Sequence, residues 1–267
     1  LETRLTQTIV GQTQAVKLVS DTLRRARLGL GDPKRPKASF LFVGPSGVGK
    51  TELARALAKD IFGREEALIK LDMSEFSEGH SISKLLGSPA GYVGYREGNR
   101  LADTIRKHPH AVFLFDEFEK AHPDVQHILL QALEDGHISD ATGKPLSFRH
   151  AYIILTSNVG AELVHRGNLG FGDGTISSVQ YDTLVKDQLK DRFRLELLNR
   201  LDKIVVFQAL EHESLKEIVR REINSVVRRL EETQRGAYHI GEDVLEWLIH
   251  QQVPGEEGAR AARRLVE

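Results

Sequence analysis

The sequence contains no cysteine and lacks a charge excess of either sign. Without cysteine there are no disulfide bonds and no thiolate metal ligands. The 37 basic and 38 acidic residues leave a formal charge of −1, so no overall attraction to nucleic acid or anionic lipid is expected. No apolar run approaches the ~20 residues that span a bilayer, and the N-terminus has no signal-peptide layout. These features predict a soluble, cytoplasmic protein with no membrane partner.

The 40% of hydrophobic residues in a chain of 267 is enough to build a core. Four short apolar runs have the composition of buried parallel strands, and segments with helical spacing separate them. These runs are Ser39–Val43, Leu68–Leu71, Ala111–Phe115 and Tyr152–Thr156. An amphipathic helix is predicted for residues 12–28. The alternation predicts an α/β domain with a parallel sheet covered by helices.

The pattern changes near residue 208. Apolar positions at 215, 219, 223, 226 and 230 form one helical stripe, and two more helical segments follow at 243–250 and 259–266. We therefore predict a large α/β domain at 1–208 and a small, mainly helical domain at 209–267. The first residue is Leu1 rather than methionine, and we expect a segment of a longer chain with a truncated small domain.

A glycine-rich phosphate-binding loop follows the first predicted strand. Its two glycines, lysine and hydroxyl residue have the required spacing, and it lies between a strand and a helix. The backbone N–H groups and Lys50 are expected to hold the phosphates of ATP, and the Thr51 hydroxyl to bind Mg²⁺. The loop residues are Gly44, Pro45, Ser46, Gly47, Val48, Gly49, Lys50 and Thr51.

Two adjacent acids end the third predicted strand. Asp116 is expected to hold Mg²⁺, and Glu117 to polarise the water that attacks the γ-phosphate. Adjacent acids at a helix start also serve as simple caps. The phosphate loop upstream favours the catalytic interpretation.

The stretch from Asp116 to Val125 closely resembles the second ATPase ring of the Clp-family AAA+ unfoldases and disaggregases. Further matching pieces occur in order along almost the whole chain. They are Val10-Gly11-Gln12, Leu71–Phe76, Gly91–Tyr95, Thr156-Ser157-Asn158, Leu198–Asp202 and Gly258-Ala259-Arg260. The resemblance implies an AAA+ phosphate-loop domain followed by a small helical lid domain.

The resemblance also implies roles for single residues. Val10 would line the adenine pocket, and Asn158 would help to position the attacking water. Arg200 would act as an arginine finger on the ATP of a neighbouring subunit, and Arg260 would sense the γ-phosphate from the lid. Without the resemblance, Asn158 would be a strand-end cap and both arginines solvated surface charges. The sequence departs from the family at Leu195 and at Ala261-Ala262, which leaves the effect on rates open.

The segment Gly91, Tyr92, Val93 and Gly94 places an aromatic residue between glycines. In the family this loop grips unfolded polypeptide in the channel of a ring, commonly a hexamer; the alternative is a turn with a buried tyrosine. A second channel loop is expected within 135–148, where Asp140, Gly143 and Pro145 interrupt regular structure. Leu169, Gly170 and Phe171 either dock onto a ClpP-like peptidase or anchor a loop on their own domain, with equal support for each.

Two other functions compete with this interpretation. A nucleic-acid motor would favour basic residues at the channel loop, and Arg96 and Arg100 lie near it. The neutral Gly91–Gly94 loop disfavours such a motor. A scaffold that binds ATP without hydrolysis is disfavoured by the joint presence of Lys50, Glu117 and Arg200. The sequence alone does not distinguish a disaggregase from an unfoldase that feeds a peptidase.

Overall fold

Five parallel strands form the central sheet in a computed structural model that describes residues 1–79, 81–87, 100–162, 178–234, 241–251 and 258–266. The order across the sheet is β2-β3-β6-β1-β7, and β4 pairs with β5 in a separate antiparallel hairpin. The strands are β1 (Ala38–Val43), β2 (Leu68–Asp72), β3 (Val112–Asp116), β4 (His137–Ser139), β5 (Pro145–Ser147), β6 (Tyr152–Ser157) and β7 (Lys203–Val206). All four predicted strands are confirmed.

The register brings the carboxyl ends of the strands to one edge of the sheet. Asp72 lies opposite Asp116, and Val43 lies opposite both Ser157 and Val206. Loops that leave parallel strands at this edge commonly form ligand sites.

Helices cover both faces of the sheet. Side chains alternate along β1, so that Leu41 and Val43 join the core on one face and Phe40 and Phe42 the core on the other. The helices are α1 (Glu2–Thr8), α2 (Thr13–Arg27), α3 (Lys50–Phe62), α4 (Ser81–Leu86), α5 (Arg100–Lys107), α6 (Pro123–Asp135), α7 (Ser178–Arg192), α8 (Leu195–Arg200), α9 (His212–Gln234), α10 (Glu242–Gln251) and α11 (Gly258–Val266). The predicted fold class is confirmed.

Local sequence explains where helix α6 begins and ends. Pro123 occupies its first turn, where a missing N–H breaks no helical hydrogen bond. The His122 ring accepts a hydrogen bond from the Asp124 N–H at 3.3 Å. Gly136 ends the helix in the left-handed conformation.

The described part of the region after residue 208 consists of three helices, which begin at His212, Glu242 and Gly258, and short connections. Its small core contains Val219 and Ile223 from α9, with Leu245 and Leu248 from α10. The predicted apolar stripe is buried only in part, because Leu230 is 36% exposed beyond the end of this packing. No helix among the described residues is long and apolar enough to cross a membrane.

Three strands were missing from the prediction. β7 pairs with β1 through only four residues, and Lys203 at its start is exposed. The segment 135–148 forms the β4–β5 hairpin rather than an irregular loop. Pro145 begins β5 instead of interrupting it, as a strand's first residue tolerates the missing N–H donor.

Candidate active site

A cleft of about 450 Å³ opens at the carboxyl edge of the sheet, between the sheet and the helices α9 and α11. Most of the predicted nucleotide-site residues meet there although they are far apart in sequence. The predicted residues that line it are Val10, Ser46, Gly47, Val48, Gly49, Lys50, Thr51, Asp116, Glu117, Asn158 and Arg260.

The loop from Gly44 to Gly49 turns tightly between β1 and α3. Gly44 has φ +143°, and a Cβ atom there would lie 2.4 Å from the Phe207 carbonyl oxygen, just beyond β7. The Gly44 N–H donates to the Ser157 carbonyl at 3.3 Å, which fixes the loop to the end of β6. Only glycine fits this close approach of three chain segments.

Lys50 is almost completely buried at the first turn of α3. Its ammonium donates to the carbonyl oxygens of Gly44 at 2.5 Å and Pro45 at 2.8 Å, and to Asn158 Oδ1 at 2.9 Å. The pKa of Lys50 is lowered to about 8, mainly by burial and also by the positive charge of Arg260, although the negative charges of Glu119, Asp116 and Glu117 oppose the change. The side chain is therefore held in one place before any ligand binds.

Asp116 ends β3 and contacts both neighbouring strands. Its Oδ2 atom pairs with Lys70 of β2 at 2.6 Å, and Oδ1 accepts a hydrogen bond from the Thr156 hydroxyl of β6. The carboxylate is mostly buried, with 16% of the side chain exposed. It therefore stands at a fixed point on the cleft wall.

Glu117 follows in the left-handed conformation, with φ 54°. Its N–H donates to Thr156 Oγ1 at 3.1 Å, and its carboxylate pairs with Lys120 at 2.6 Å. A third of the side chain is exposed, so a water molecule can reach the carboxylate. The pairing with Lys120 is exposed and readily exchanged.

Asn158 directly follows β6, which lies between β3, the strand that ends in Asp116, and β1, the strand that precedes the phosphate loop. Its side-chain oxygen accepts from Lys50, and its N–H donates to Glu119 Oε1 at 3.0 Å. The residue thus connects the phosphate loop to the acidic segment.

The opposite wall of the cleft comes from the N-terminal turn and the helical region. Gln12 holds the Val10 turn in place, because its side-chain NH₂ donates to the carbonyls of Val48 at 3.3 Å and Gln208 at 2.8 Å. The N–H of Ala259, at the start of α11, donates to the Gly47 carbonyl at 2.9 Å. Arg260 lines the cleft and is exposed.

Arg200 lies outside this cleft. Its Nε atom pairs with Glu134 at the end of α6, at 2.5 Å, and the Arg35 guanidinium donates to its carbonyl oxygen. About half of the Arg200 side chain is exposed. The predicted finger is therefore separated from the other predicted catalytic residues of its own chain.

The predicted polypeptide and peptidase contacts fall on other segments. Gly91, Tyr92, Val93 and Gly94 lie outside the described residues, as do Leu169, Gly170 and Phe171.

The β4–β5 hairpin, which was expected to form a second channel loop, lies within the described residues. Its turn is built around Asp140, which accepts from the Thr142 hydroxyl at 2.7 Å, from two backbone N–H groups and from Arg106. The Thr142 hydrogen bond leads the interactions that lower the pKa of Asp140 to about 2.

Comparison with known proteins decides the family. The model for the AAA domain (Cdc48 subfamily) matches residues 35–204, and the model for the C-terminal, D2-small domain of ClpB matches residues 210–267. The chain belongs to the AAA domain family. The second match confirms the expected likeness to the second ATPase module of Clp proteins.

Relatives of this AAA domain share its sequence over its whole length. The ATP-binding subunit ClpC of the Clp protease is 48% identical over 271 residues in Staphylococcus epidermidis and in Staphylococcus aureus strain USA300. Each match covers 100% of this chain and 33% of the relative. The chain thus spans about a third of the length of these relatives.

Solved structures agree with the fold. Hsp104 in a closed state with ATPγS and FITC casein has a TM-score of 0.86, and an extended casein complex of S. cerevisiae Hsp104 has 0.87. Both are 39% identical, and the match covers 99% of this chain and 45% of theirs. Membership of the AAA family implies that the cleft binds a nucleotide.

Sequence reasoning missed several residues that build this AAA site. Lys70 and Thr156 hold Asp116, Glu119 holds Asn158, and Arg221 of α9 donates to the Gln7 carbonyl at 2.6 Å. The sequence position of two of these residues was a usable signal, since Thr156 ends a predicted strand and Glu119 lies two residues after the acid pair. Lys70 and Arg221 carry no such local signal.

Proposed function

We propose that this AAA domain binds ATP with Mg²⁺, hydrolyses it, and uses the energy to thread polypeptide through the channel of a ring. One observation carries the ATPase part. The buried Lys50 ammonium is fixed by two loop carbonyls and Asn158 at the sheet edge where Asp116 and Glu117 end the neighbouring strand. A fixed cation beside two acids suits phosphoryl transfer to water.

The residues present fit a magnesium nucleotide. The glycine-lined loop and the N-terminus of α3 offer backbone N–H groups and a positive dipole end to phosphates. The Thr51 hydroxyl and the Asp116 carboxylate are hard oxygen ligands of the kind Mg²⁺ prefers, and they would hold the ion with phosphate oxygens. The ion would stabilise negative charge on the phosphate oxygens. Val10 would contact the adenine, and Arg260 the γ-phosphate.

The protein's own groups account for the chemistry as follows. Lys50 neutralises charge on the β- and γ-phosphates. Glu117 orients the attacking water and accepts its proton. To do so, its carboxylate must release the ion pair with Lys120 and bind the water instead. The Asn158 amide, held by Lys50, orients the same water.

The position of Arg200 supports a ring. The side chain lies outside its own cleft and half exposed, as a finger that serves a neighbouring subunit requires. We therefore propose a homo-oligomeric ring, a hexamer as is common in the Clp family, in which an isolated chain hydrolyses ATP poorly.

Polypeptide as the substrate rests on the relatives. The Hsp104 structures contain casein, and ClpC is named as a subunit of a protease. Tyr92 and its neighbours remain the proposed gripping loop, and Leu169, Gly170 and Phe171 a possible contact with a ClpP-like peptidase. A domain boundary near residue 208 and a cytoplasmic location remain proposals, the first supported by the separate family matches that end at 204 and begin at 210.

The test is the ATPase rate per chain, measured over a range of protein concentrations with and without casein. We expect a rate that rises with concentration and with casein, and that falls by at least ~100-fold in Glu117→Gln while nucleotide still binds. Glu66→Gln is the matched control, since Glu66 is an exposed acid remote from the cleft lining, and it should retain the wild-type rate.

Three outcomes would contradict the proposal in different ways. Stimulation by DNA or RNA but not by casein would indicate a nucleic-acid motor. Nucleotide binding without hydrolysis at any concentration would indicate a scaffold. Wild-type hydrolysis in Glu117→Gln would remove Glu117 from the chemistry.

A further inference from the structure

Glu119 is a third acid at the active site, and neither the sequence motif nor the proposed chemistry uses it. The chain reaches it through Glu117, the one non-glycine residue with positive φ in the described part of the chain. Such a conformation is unfavourable and persists only where its surroundings impose it. Here Phe118 is fully buried and stacks on Phe193 of the segment after α7, with ring centroids 5.9 Å apart.

The turn directs the Glu119 side chain back toward β6. Its Oε1 atom accepts the Asn158 N–H at 3.0 Å. Its Oε2 atom is buried and forms no hydrogen bond with any described residue. A carboxylate oxygen buried in this way is unfavourable by about 1–3 kcal/mol, so a purely structural role would be better served by a neutral side chain.

The electrostatic environment supplies a reason for the charge. Among the acids near Lys50, Glu119 is the one whose charge raises the pKa of the ammonium most, ahead of Asp116 and Glu117. Its carboxylate and the Lys50 ammonium hold Asn158 from two sides, one through the main-chain N–H and the other through Oδ1. The amide of Asn158 therefore has little freedom to rotate or shift.

We propose that Glu119 is a positioning residue for ATP hydrolysis, which holds the main chain of Asn158 so that the Asn158 amide stays directed at Lys50 and the attacking water. The inference rests on the proposed ATPase function and assigns part of its rate to a residue that touches neither nucleotide nor water. Loss of Glu119 should lower kcat rather than nucleotide affinity, because Lys50 keeps its hydrogen bonds to the two loop carbonyls without Glu119.

The experiment compares Glu119→Ala and Glu119→Gln in the full chain. Alanine removes the acceptor of the Asn158 N–H, whereas glutamine keeps an oxygen there and removes only the charge. We expect Glu119→Ala to lower kcat by about 10-fold with less than about 3-fold change in KM and in the Kd of a fluorescent ATP analogue. Glu119→Gln should recover part of the lost kcat. Glu66→Gln again controls for the loss of an acid.

A double-mutant cycle with Asn158→Ala decides whether Glu119 acts through Asn158. If it does, Glu119→Ala should lower kcat by less than about 2-fold in the Asn158→Ala background. Losses that multiply in the double variant would overturn the proposal, as would wild-type kcat in Glu119→Ala. A lowered melting temperature with unchanged kcat in Glu119→Ala would show a structural role only.

The failure of this inference is separable from the failure of the proposed function. An inactive wild-type chain would remove the ATPase proposal itself. An active wild-type chain with equally active Glu119 variants would remove only the role of Glu119. If Glu119→Ala does not fold, the test uses Glu119→Gln and its double-mutant cycle with Asn158→Ala instead.

Discussion

The two walls of the nucleotide cleft are built in different ways. On the sheet wall, Asp116 ends β3, Asn158 follows β6 and Lys50 begins α3 after β1, and these side chains bond to one another or to the neighbouring strands. On the lid wall, Arg260 is exposed, and α9 and α10 share a core of four buried residues against which Val266 of α11 packs. The proposed catalytic residues of the cleft thus lie mainly on the wall with the denser side-chain bonding.

Among the described residues, few polar contacts join the helical region after residue 208 to the rest of the cleft. Arg221 donates to the Gln7 carbonyl at 2.6 Å and to the Thr8 carbonyl at 3.4 Å, and the Ala259 N–H donates to Gly47 at 2.9 Å. Each such bond contributes only about 1 kcal/mol. A ligand that contacts both walls can therefore shift the lid wall more readily than the sheet wall. This contrast suits a motor that needs fixed chemistry and a moving part.

The largest effect is expected from Gly44→Ala, on the sheet wall. A Cβ atom there would lie 2.4 Å from the Phe207 carbonyl, and φ is +143°. Since both groups are backbone, neither can move aside easily, and we expect a loss of about 3 kcal/mol in the free energy of unfolding. Urea denaturation measures it. Gly63→Ala is the matched control, because Gly63 has φ +75° with open space around it, and should be destabilised by only about 1 kcal/mol. Equal losses would refute the packing argument.

A smaller and different effect is expected from Gly258→Ala, on the lid wall. The new Cβ would lie 2.8 Å from the Gly47 carbonyl, so α11 must move away from the phosphate loop. We expect nucleotide affinity to fall by about 3- to 10-fold with little change in the urea midpoint of the sheet domain. Titration with a fluorescent ATP analogue measures the affinity. Gly143→Ala, where φ is +78° and nothing lies within 4 Å, should bind normally. Unfolding of the sheet domain would mean that the two walls are not independent.

The smallest effect is expected from Arg221→Ala. This change removes the donor to Gln7 and Thr8 but leaves every sheet contact intact. Because the side chain is largely exposed, we expect a 2- to 4-fold weaker affinity for nucleotide, or roughly 0.5–1 kcal/mol. The neighbouring Arg220→Ala, which removes an ion pair with Glu217 on the same helix at 3.8 Å, should change affinity less. An equal loss of nucleotide affinity in both variants would show that the charge of the helix, and not the hydrogen bonds of Arg221, causes the effect.

Local patterns were enough to predict most of the sheet and the phosphate loop. Buried strands such as β1 and β6 are continuous apolar runs, and the phosphate loop needs its residue types at fixed spacing. β7 was missed because four residues, one of them an exposed lysine, carry too little pattern. The hairpin was missed because each of its strands has only three residues, and because one contact of its turn, between Asp140 and Arg106 of α5, is distant in sequence.

The sequence by itself determined the fold class and predicted the residues that bind phosphate and metal, because these follow from short-range spacing, and its resemblance to known motifs indicated the family. Only the tertiary structure decided that Lys50 meets Asn158 across 108 positions, that Glu119 holds Asn158, and that Arg200 points away from its own cleft to Glu134. These contacts arise from strand order, since β6 lies between β1 and β3 and brings distant segments to one edge. Strand order is set by how the whole core packs, and no local pattern encodes it.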